Sequence, residues 1–332
     1  MNFSLTTVVA ASTLALLTAC GGGGGDAPAK PADTRVAITS ANQSQVVRAG
    51  VNAGLSVSMA QGSTSGVSPS GVQDRSHALA AVMQRAVTAA RASRKGIASA
   101  SAHPATTASD SEPCDFGGTL TVTLDDRDND LKLSNGDVVS ASFAQCKDSA
   151  SSTIDGAISI TLTGTPTDTQ FAATASFQNV AVTDDGTTST IAGNVTVAEN
   201  DTDTDTQTTL SVGSGGLTAS TVSADYDDAV SFASGFVIRM DESSSGSVSV
   251  SLSGTITAQS LGGSITISTP QPLVETANDD RPSAGQVIVT GASGSSVRAT
   301  VLDNSQVKLE LDANGDGTYE GSSIVTWAAL TV

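Results

Sequence analysis

From residue 114 onward the chain alternates apolar and polar positions with a period of two. Leu120, Val122 and Leu124 interleave with Thr119, Thr121 and Thr123, and Val139, Ala141 and Phe143 with Val138, Ser140 and Ser142. Successive side chains of a strand point to opposite faces, so this alternation predicts half-buried strands. A short cue then recurs, as Gly156-Ala-Ile-Ser-Ile, Gly193-Asn-Val-Thr-Val, Gly246-Ser-Val-Ser-Val, Gly254-Thr-Ile-Thr and Gly263-Ser-Ile-Thr-Ile. Each predicts a strand opened by a turn glycine. Residues 171–182, 208–212, 217–226, 230–240, 286–290, 296–302 and 306–311 add further strands. Turn chemistry separates them at Asp184-Asp185-Gly186, Ser214-Gly215-Gly216 and Asp303-Asn304. The expected fold is mainly β: an antiparallel meander of about a dozen strands, an open barrel or a sandwich, preceded by a short helical neck. Thr and Ser on the outward positions argue against a membrane-spanning barrel, which would turn an apolar band outward.

Upstream of residue 114 the period changes. Val46, Val47, Val51 and Leu55 recur at helical spacing after Thr39 or Ser40, either of which can cap a helix N-terminus. A second stretch, residues 72–93, sets Leu79, Val82, Met83, Ala86 and Ala90 on one face. The two would form an αα-hairpin packed on the sheet. This organisation divides the chain into residues 1–19, a signal peptide; 20–38, an anchoring cysteine with a flexible tether; 39–96, the helical neck; 97–113, an Ala/Ser/Thr-rich linker; and 114–332, the β domain.

Charge separates the two regions more sharply than hydropathy does. Residues 1–113 hold eight Lys/Arg against five Asp/Glu, and residues 114–332 hold seven against twenty-eight, giving +3 and −21 and the net −18 of the whole chain. So acidic a β region repels nucleic acid and attracts divalent cations. The basic residues Arg75, Arg85, Arg91, Arg94 and Lys95 of the neck read as a solvated face or as a contact for lipid headgroups or lipopolysaccharide phosphates.

Residues 5–19 are an apolar run too short to span a bilayer, ending in small residues as a signal peptide does. The Leu17-Thr18-Ala19-Cys20 sequence that closes it resembles the lipobox of bacterial lipoproteins, although no Lys or Arg lies among residues 2–16. The resemblance implies that Cys20 is lipidated, with palmitate among the acyl chains such proteins carry. It also implies that the chain sits on the outer membrane, since Gly21 stands where an inner-membrane retention signal places Asp. Its partners would then be the membrane, through the anchor, and other envelope proteins.

With Cys20 acylated, Cys114 and Cys146 remain as a pair in an oxidising compartment. Folding the chain back about residues 126–137 brings them close enough for a disulfide. Between them, Asp126, Asp128, Asp130 and Asp137 stand at positions 1, 3, 5 and 12 of a calcium loop, with the Lys132 carbonyl at 7 and Ser134 at 9. Ca²⁺ takes six to eight oxygen ligands, and alternating carboxylates on a tight loop supply them. The loop resembles the EF-hand and dockerin type, which implies a weak Ca²⁺ site of roughly 10⁻⁴–10⁻³ M affinity. It departs from that type at Leu131, where a turn glycine is usual, and in being flanked by strands. The alternative is a solvated acidic turn.

A second acidic turn places Asp312, Asn314, Asp316 and Glu320 at positions 1, 3, 5 and 9, with Gly317 at 6 and Ser323 at 12. It reads as a plain hairpin or a weaker cation site. Asp201, Asp203 and Asp205 alternate on a third turn. The lipobox, the cysteine-closed acidic hairpin and the terminal LDANGDG–VTW hairpin together resemble a class of proteobacterial outer-membrane lipoproteins, a resemblance that implies no activity.

The only histidines, His77 and His103, lie outside the β domain, which argues against His-based nucleophilic or zinc chemistry. No carboxylate pair stands out for glycoside hydrolysis. Trp327 reads as a core residue closing the last strand. The expected function is non-enzymatic: an envelope lipoprotein with a structural or surface-interaction role. The alternative is a carrier that encloses a lipid or another apolar ligand in the curled sheet.

Overall fold

The computed structural model describes residues 34–58, 107–130, 132–147, 149–167, 169–223, 227–276 and 281–330. The described residues from Thr34 onward form one compact unit. The lipobox with Cys20, the second helical stretch at 72–93 and both histidines lie outside the described residues.

Alternation becomes strand where it was expected. β1 (Thr107–Pro113), β2 (Thr119–Asp125), β3 (Val138–Cys146), β4 (Ser152–Leu162), β5 (Gln170–Asp184), β6 (Thr187–Asp201) and β7 (Asp205–Val222) follow one another as an antiparallel meander. β8 (Asp227–Phe232) and β9 (Val237–Ser243) come next, then β10 (Val248–Ala258), β11 (Gly263–Glu275), β12 (Ala284–Thr290), β13 (Ser296–Val301), β14 (Gln306–Asp312) and β15 (Gly321–Thr326). β8 and β9 both lie between β7 and β10, end to end, so they fill one lane of the sheet. The continuous stretch expected at 230–240 is thus one lane broken by a bulge at 233–236, where the Phe236 carbonyl accepts from the Val212 N–H. Among the described residues no pairing joins β1 to β15, and these two strands stand at the ends of the sheet order.

The recurrent glycine cue has a different meaning from the one its sequence suggested. Gly263 does open β11, but Gly156, Gly193 and Gly254 lie inside β4, β6 and β10. At Gly156 φ is +107° and a side chain would collide with the Asn179 carbonyl; at Gly193 φ is +125° and the obstacle is the Gly216 carbonyl. The strand register shifts beside each, between Asp155 and Ala157 and between Gly193 and Val195. These are bulge glycines, which bend a strand without ending it. The same device explains why Ser214-Gly215-Gly216 is a kink within the long β7 instead of a turn.

Thr107–Pro113 is a strand where composition suggested linker. It carries no apolar alternation because it is an edge: Asp110 and Glu112 stand opposite Val122 and Leu120 and remain exposed. Edge strands that place charge on their inward positions are protected against further pairing.

Helix α1 (Gln43–Ser58) packs on the sheet as expected, crossing β9 to β14. Thr39 is the residue that starts it: its carbonyl accepts the Asn42 and Gln43 N–H groups, and its own N–H donates to Asn42 Oδ1 at 2.8 Å. This reciprocal arrangement satisfies backbone groups that a helix start leaves open. Val46, Val47 and Val51 are buried in the same core as Trp327 and Leu330 of the short helix α2 (Trp327–Leu330). Each fully buried aliphatic side chain contributes about 1.5–3 kcal/mol. Gly50 allows the close approach, since a methyl group there would meet Ile267 Cδ1 at 3.2 Å. Trp327 is a core residue as expected, but it begins a helix after the last strand, and its indole N–H donates to the Asp303 carbonyl at 3.3 Å.

A meander sends its connections alternately to two rims. One rim carries the disulfide end of β2 and β3, the 3₁₀ turns at Gln259–Leu261 and Ala292–Gly294, and the 313–320 turn. The incoming segment 34–38 is fixed there too, through bonds between Val36 and Ser264, Ala292 and Val36, and Ile38 and Ser295 Oγ. The opposite rim carries the 126–137 loop, the 202–204 turn and the 302–305 turn.

Candidate cation sites on opposite rims

The first acidic loop hangs between β2 and β3. At the other end of this hairpin Cys114 and Cys146 are joined, with Cα atoms 5.4 Å apart. The Lys147 N–H donates to the Gly117 carbonyl and the Phe116 N–H to the Lys147 carbonyl, which fastens the base.

Within the loop, Asp126, Asp128 and Asp130 each present a carboxylate oxygen within 4.8 Å of the others. Two side-chain-to-backbone steps shape that cluster. Asp128 Oδ1 accepts the Asp130 N–H at 3.2 Å, and Asp130 Oδ1 accepts the Lys132 N–H at 2.7 Å. Ser134 Oγ donates to Asp128 Oδ2 at 2.8 Å, and this bond is the main reason the Asp128 carboxyl lies below its ordinary value. Asp126 is buried, while Asp128 and Asp130 are exposed.

Asp137 takes a different role from its neighbours. It is fully buried, and it accepts the Arg127 N–H at 3.0 Å and the Ser134 N–H at 2.7 Å, one on each oxygen. It staples the two ends of the loop and is not part of the three-carboxylate cluster. Of the residues expected around one ion, the structure therefore groups Asp126, Asp128 and Asp130, brings Ser134 onto Asp128, engages Lys132 through its N–H, and uses Asp137 as a brace.

The second loop, between β14 and β15, repeats the same steps. Asn314 Oδ1 accepts the Asp316 N–H at 2.9 Å, and Asp316 Oδ1 accepts the Thr318 N–H at 2.7 Å. That second bond is the leading cause of the lowered Asp316 pKa. Asp312 is buried and accepts the Gly315 and Gly317 N–H groups at 2.7 and 2.9 Å. Asp312, Asp316 and Glu320 bring carboxylate oxygens within 4.8 Å of one another. Asn314 is turned into the loop, with its Nδ2 on Asp316 Oδ2 at 3.0 Å.

Three carboxylates so close repel one another in water, and a divalent cation relieves that repulsion. The donor sets are all oxygen, which suits a hard cation and not a thiolate- or imidazole-bound metal. The third acidic turn does not gather its acids in this way; Thr202 Oγ1 braces it, accepting the Thr204 and Asp205 N–H groups.

Two polar clusters escaped the sequence. Glu310 accepts from Arg298 at 2.9 Å and from Lys308 at 2.8 Å, with the Arg298 guanidinium 4.1 Å from the Tyr319 ring centre. Buried Asp228 holds the 259–261 turn through the Ser260 N–H and Oγ at 3.0 and 2.8 Å. The first had a signal in the alternation, since Arg298 and Glu310 are outward positions of adjacent strands. The second had none, because its partners are thirty-two residues apart in sequence.

No family model matches the chain, and no curated protein or solved structure is significantly similar to it. None of the described helices is long and apolar enough to cross a membrane.

Proposed function

We propose that this chain is a non-enzymatic lipoprotein of the bacterial outer membrane, anchored through acylated Cys20. Its acidic β domain serves an envelope-structural or surface-interaction role and is steadied by the Cys114–Cys146 disulfide and by Ca²⁺. The observation that supports it most is the convergence of Asp126, Asp128 and Asp130 within 4.8 Å in a hairpin closed by a disulfide. In that reading Asp126, Asp128 and Asp130 hold the ion, Ser134 positions Asp128, and Asp137 keeps the loop in shape. Bound calcium supplies no chemistry beyond neutralising these carboxylates.

The test is a thermal melt of the chain from Thr34 onward, with Ca²⁺ and with EGTA. At a tenfold excess over Kd, binding to the folded state alone adds about 1.4 kcal/mol. For a domain of this size that corresponds to a rise of roughly 2–4 °C. A midpoint indifferent to Ca²⁺, or a rise that survives Asp128→Ala, sinks the assignment. Mass spectrometry of the mature N-terminus decides the anchoring separately.

A further inference from the structure

The two strands that end the sheet among the described residues are built differently. β1 carries Asp110 and Glu112 at exposed inward positions and ends in Pro113. β15, Gly321-Ser-Ser-Ile-Val-Thr326, has no charge and no proline. Among the described residues it pairs with β14 alone. No residue of β15 is fully buried, and Ile324 is 61% exposed, level with Phe116 as the most exposed large apolar residue. An edge strand turns every second N–H and C=O outward, and natural sheets usually defend such a row. Here one edge is defended and the other is not.

We propose that β15 is an association edge whose occupant is β15 of a second copy of this chain, paired antiparallel about a two-fold axis. Residues opposite each other in an antiparallel pair share a face, so only certain registers match outward Ser322, Ile324 and Thr326 with their own kind. The register centred on Ile324 sets Ile324 against its copy, Ser322 against Thr326 and Ser323 against Val325. It buries the most exposed apolar side chain of the edge and makes one continuous sheet from two. An interface that uses the same patch on both copies closes at a dimer.

Charge selects this edge for self-association. A chain of net −18 repels its own copy over most of its surface. β15 itself carries no carboxylate, its acidic neighbours Asp312, Asp316 and Glu320 being gathered on the turn before it, and nearby Glu310 is already neutralised by Arg298 and Lys308. Six residues bury less than a standard stable interface, so the dimer is weak and grows with concentration. Confinement to a surface would favour it.

Three variants of the full chain test it. Opposed residues of an antiparallel pair have Cα atoms about 4.5–5.5 Å apart, within disulfide reach. Ile324→Cys is therefore expected to give an oxidised dimer that Ser322→Cys, displaced from the axis, gives far less, with the wild-type chain controlling for Cys20. Ile324→Lys, a change at an exposed position, is expected to abolish the concentration-dependent rise in mass seen by sedimentation. Equal crosslinking at 322 and 324, or a mass that stays monomeric in the wild type at every concentration, overturns the proposal.

Discussion

The two acidic loops look alike at the level of spacing and differ in how the fold uses their acids. Both place Asx side chains at positions 3 and 5 that accept the N–H two residues on. In each, one buried carboxylate takes two backbone N–H groups and sets the shape. In the first loop that brace is Asp137, at position 12; in the second it is Asp312, at position 1. The difference follows from the glycines. Gly315 and Gly317 adopt φ of +76° and +87°, so the chain can curl its N–H groups back onto Asp312. The first loop has Leu131 at the equivalent of Gly317 and is closed from its far end. A motif position is therefore not a role: turn chemistry decides which acid braces, and in the second loop the brace, Asp312, is also one of the three clustered carboxylates.

The largest effect expected from breaking this comparison is on the first hairpin as a whole. Replacing both Cys114 and Cys146 with Ser should cost about 3–4 kcal/mol by the loop-entropy estimate, read as a lowered denaturation midpoint. The second loop has no such fastening and should be indifferent to reductant. Next come the braces. Asp137→Ala and Asp312→Ala each leave two backbone N–H groups without their carboxylate, and about 2–3 kcal/mol of stability should go with either. The loops lie on opposite rims and share no residue, so the double variant should lose the sum; a large departure from additivity would mean that they are coupled.

Much of this was legible in the alternation. The meander of strands, the cysteine pairing, the buried Trp327 and a helix start at Thr39 or Ser40 all rest on local patterns, and local patterns survive folding. What was not legible depended on neighbours. Gly156 and Gly193 read as turn residues because a positive φ serves a bulge and a turn equally well, and only the adjacent strand says which. β1 was hidden because edge strands need no apolar alternation. Asp137 was expected as an ion ligand, since sequence spacing counts oxygens and not the N–H groups waiting inside the loop.

The smallest effect is that of acid, and its sign is fixed. The carboxyls of Asp128, Asp316 and Glu310 all lie below their ordinary values through the hydrogen bonds they accept. A depressed folded-state pKa contributes stability that is fully present above the ordinary value, 3.8 for the aspartates and 4.5 for Glu310, and is lost as pH falls through the depressed one. Melts followed from pH 7 downward should hold level until about that range and then decline, with Glu310→Gln removing the part that starts near 4.5. A decline that begins above pH 6 would point to other groups.

On the proposed reading the first loop, and not merely the acidity of the domain, would hold calcium. Calorimetric titration of Ca²⁺ into the wild type, Asp128→Ala and Asp316→Ala tests it most directly. Binding is expected at roughly 10⁻⁴–10⁻³ M, abolished by Asp128→Ala and left in place by Asp316→Ala. Equal loss in both variants, or heat that neither changes, would contradict it.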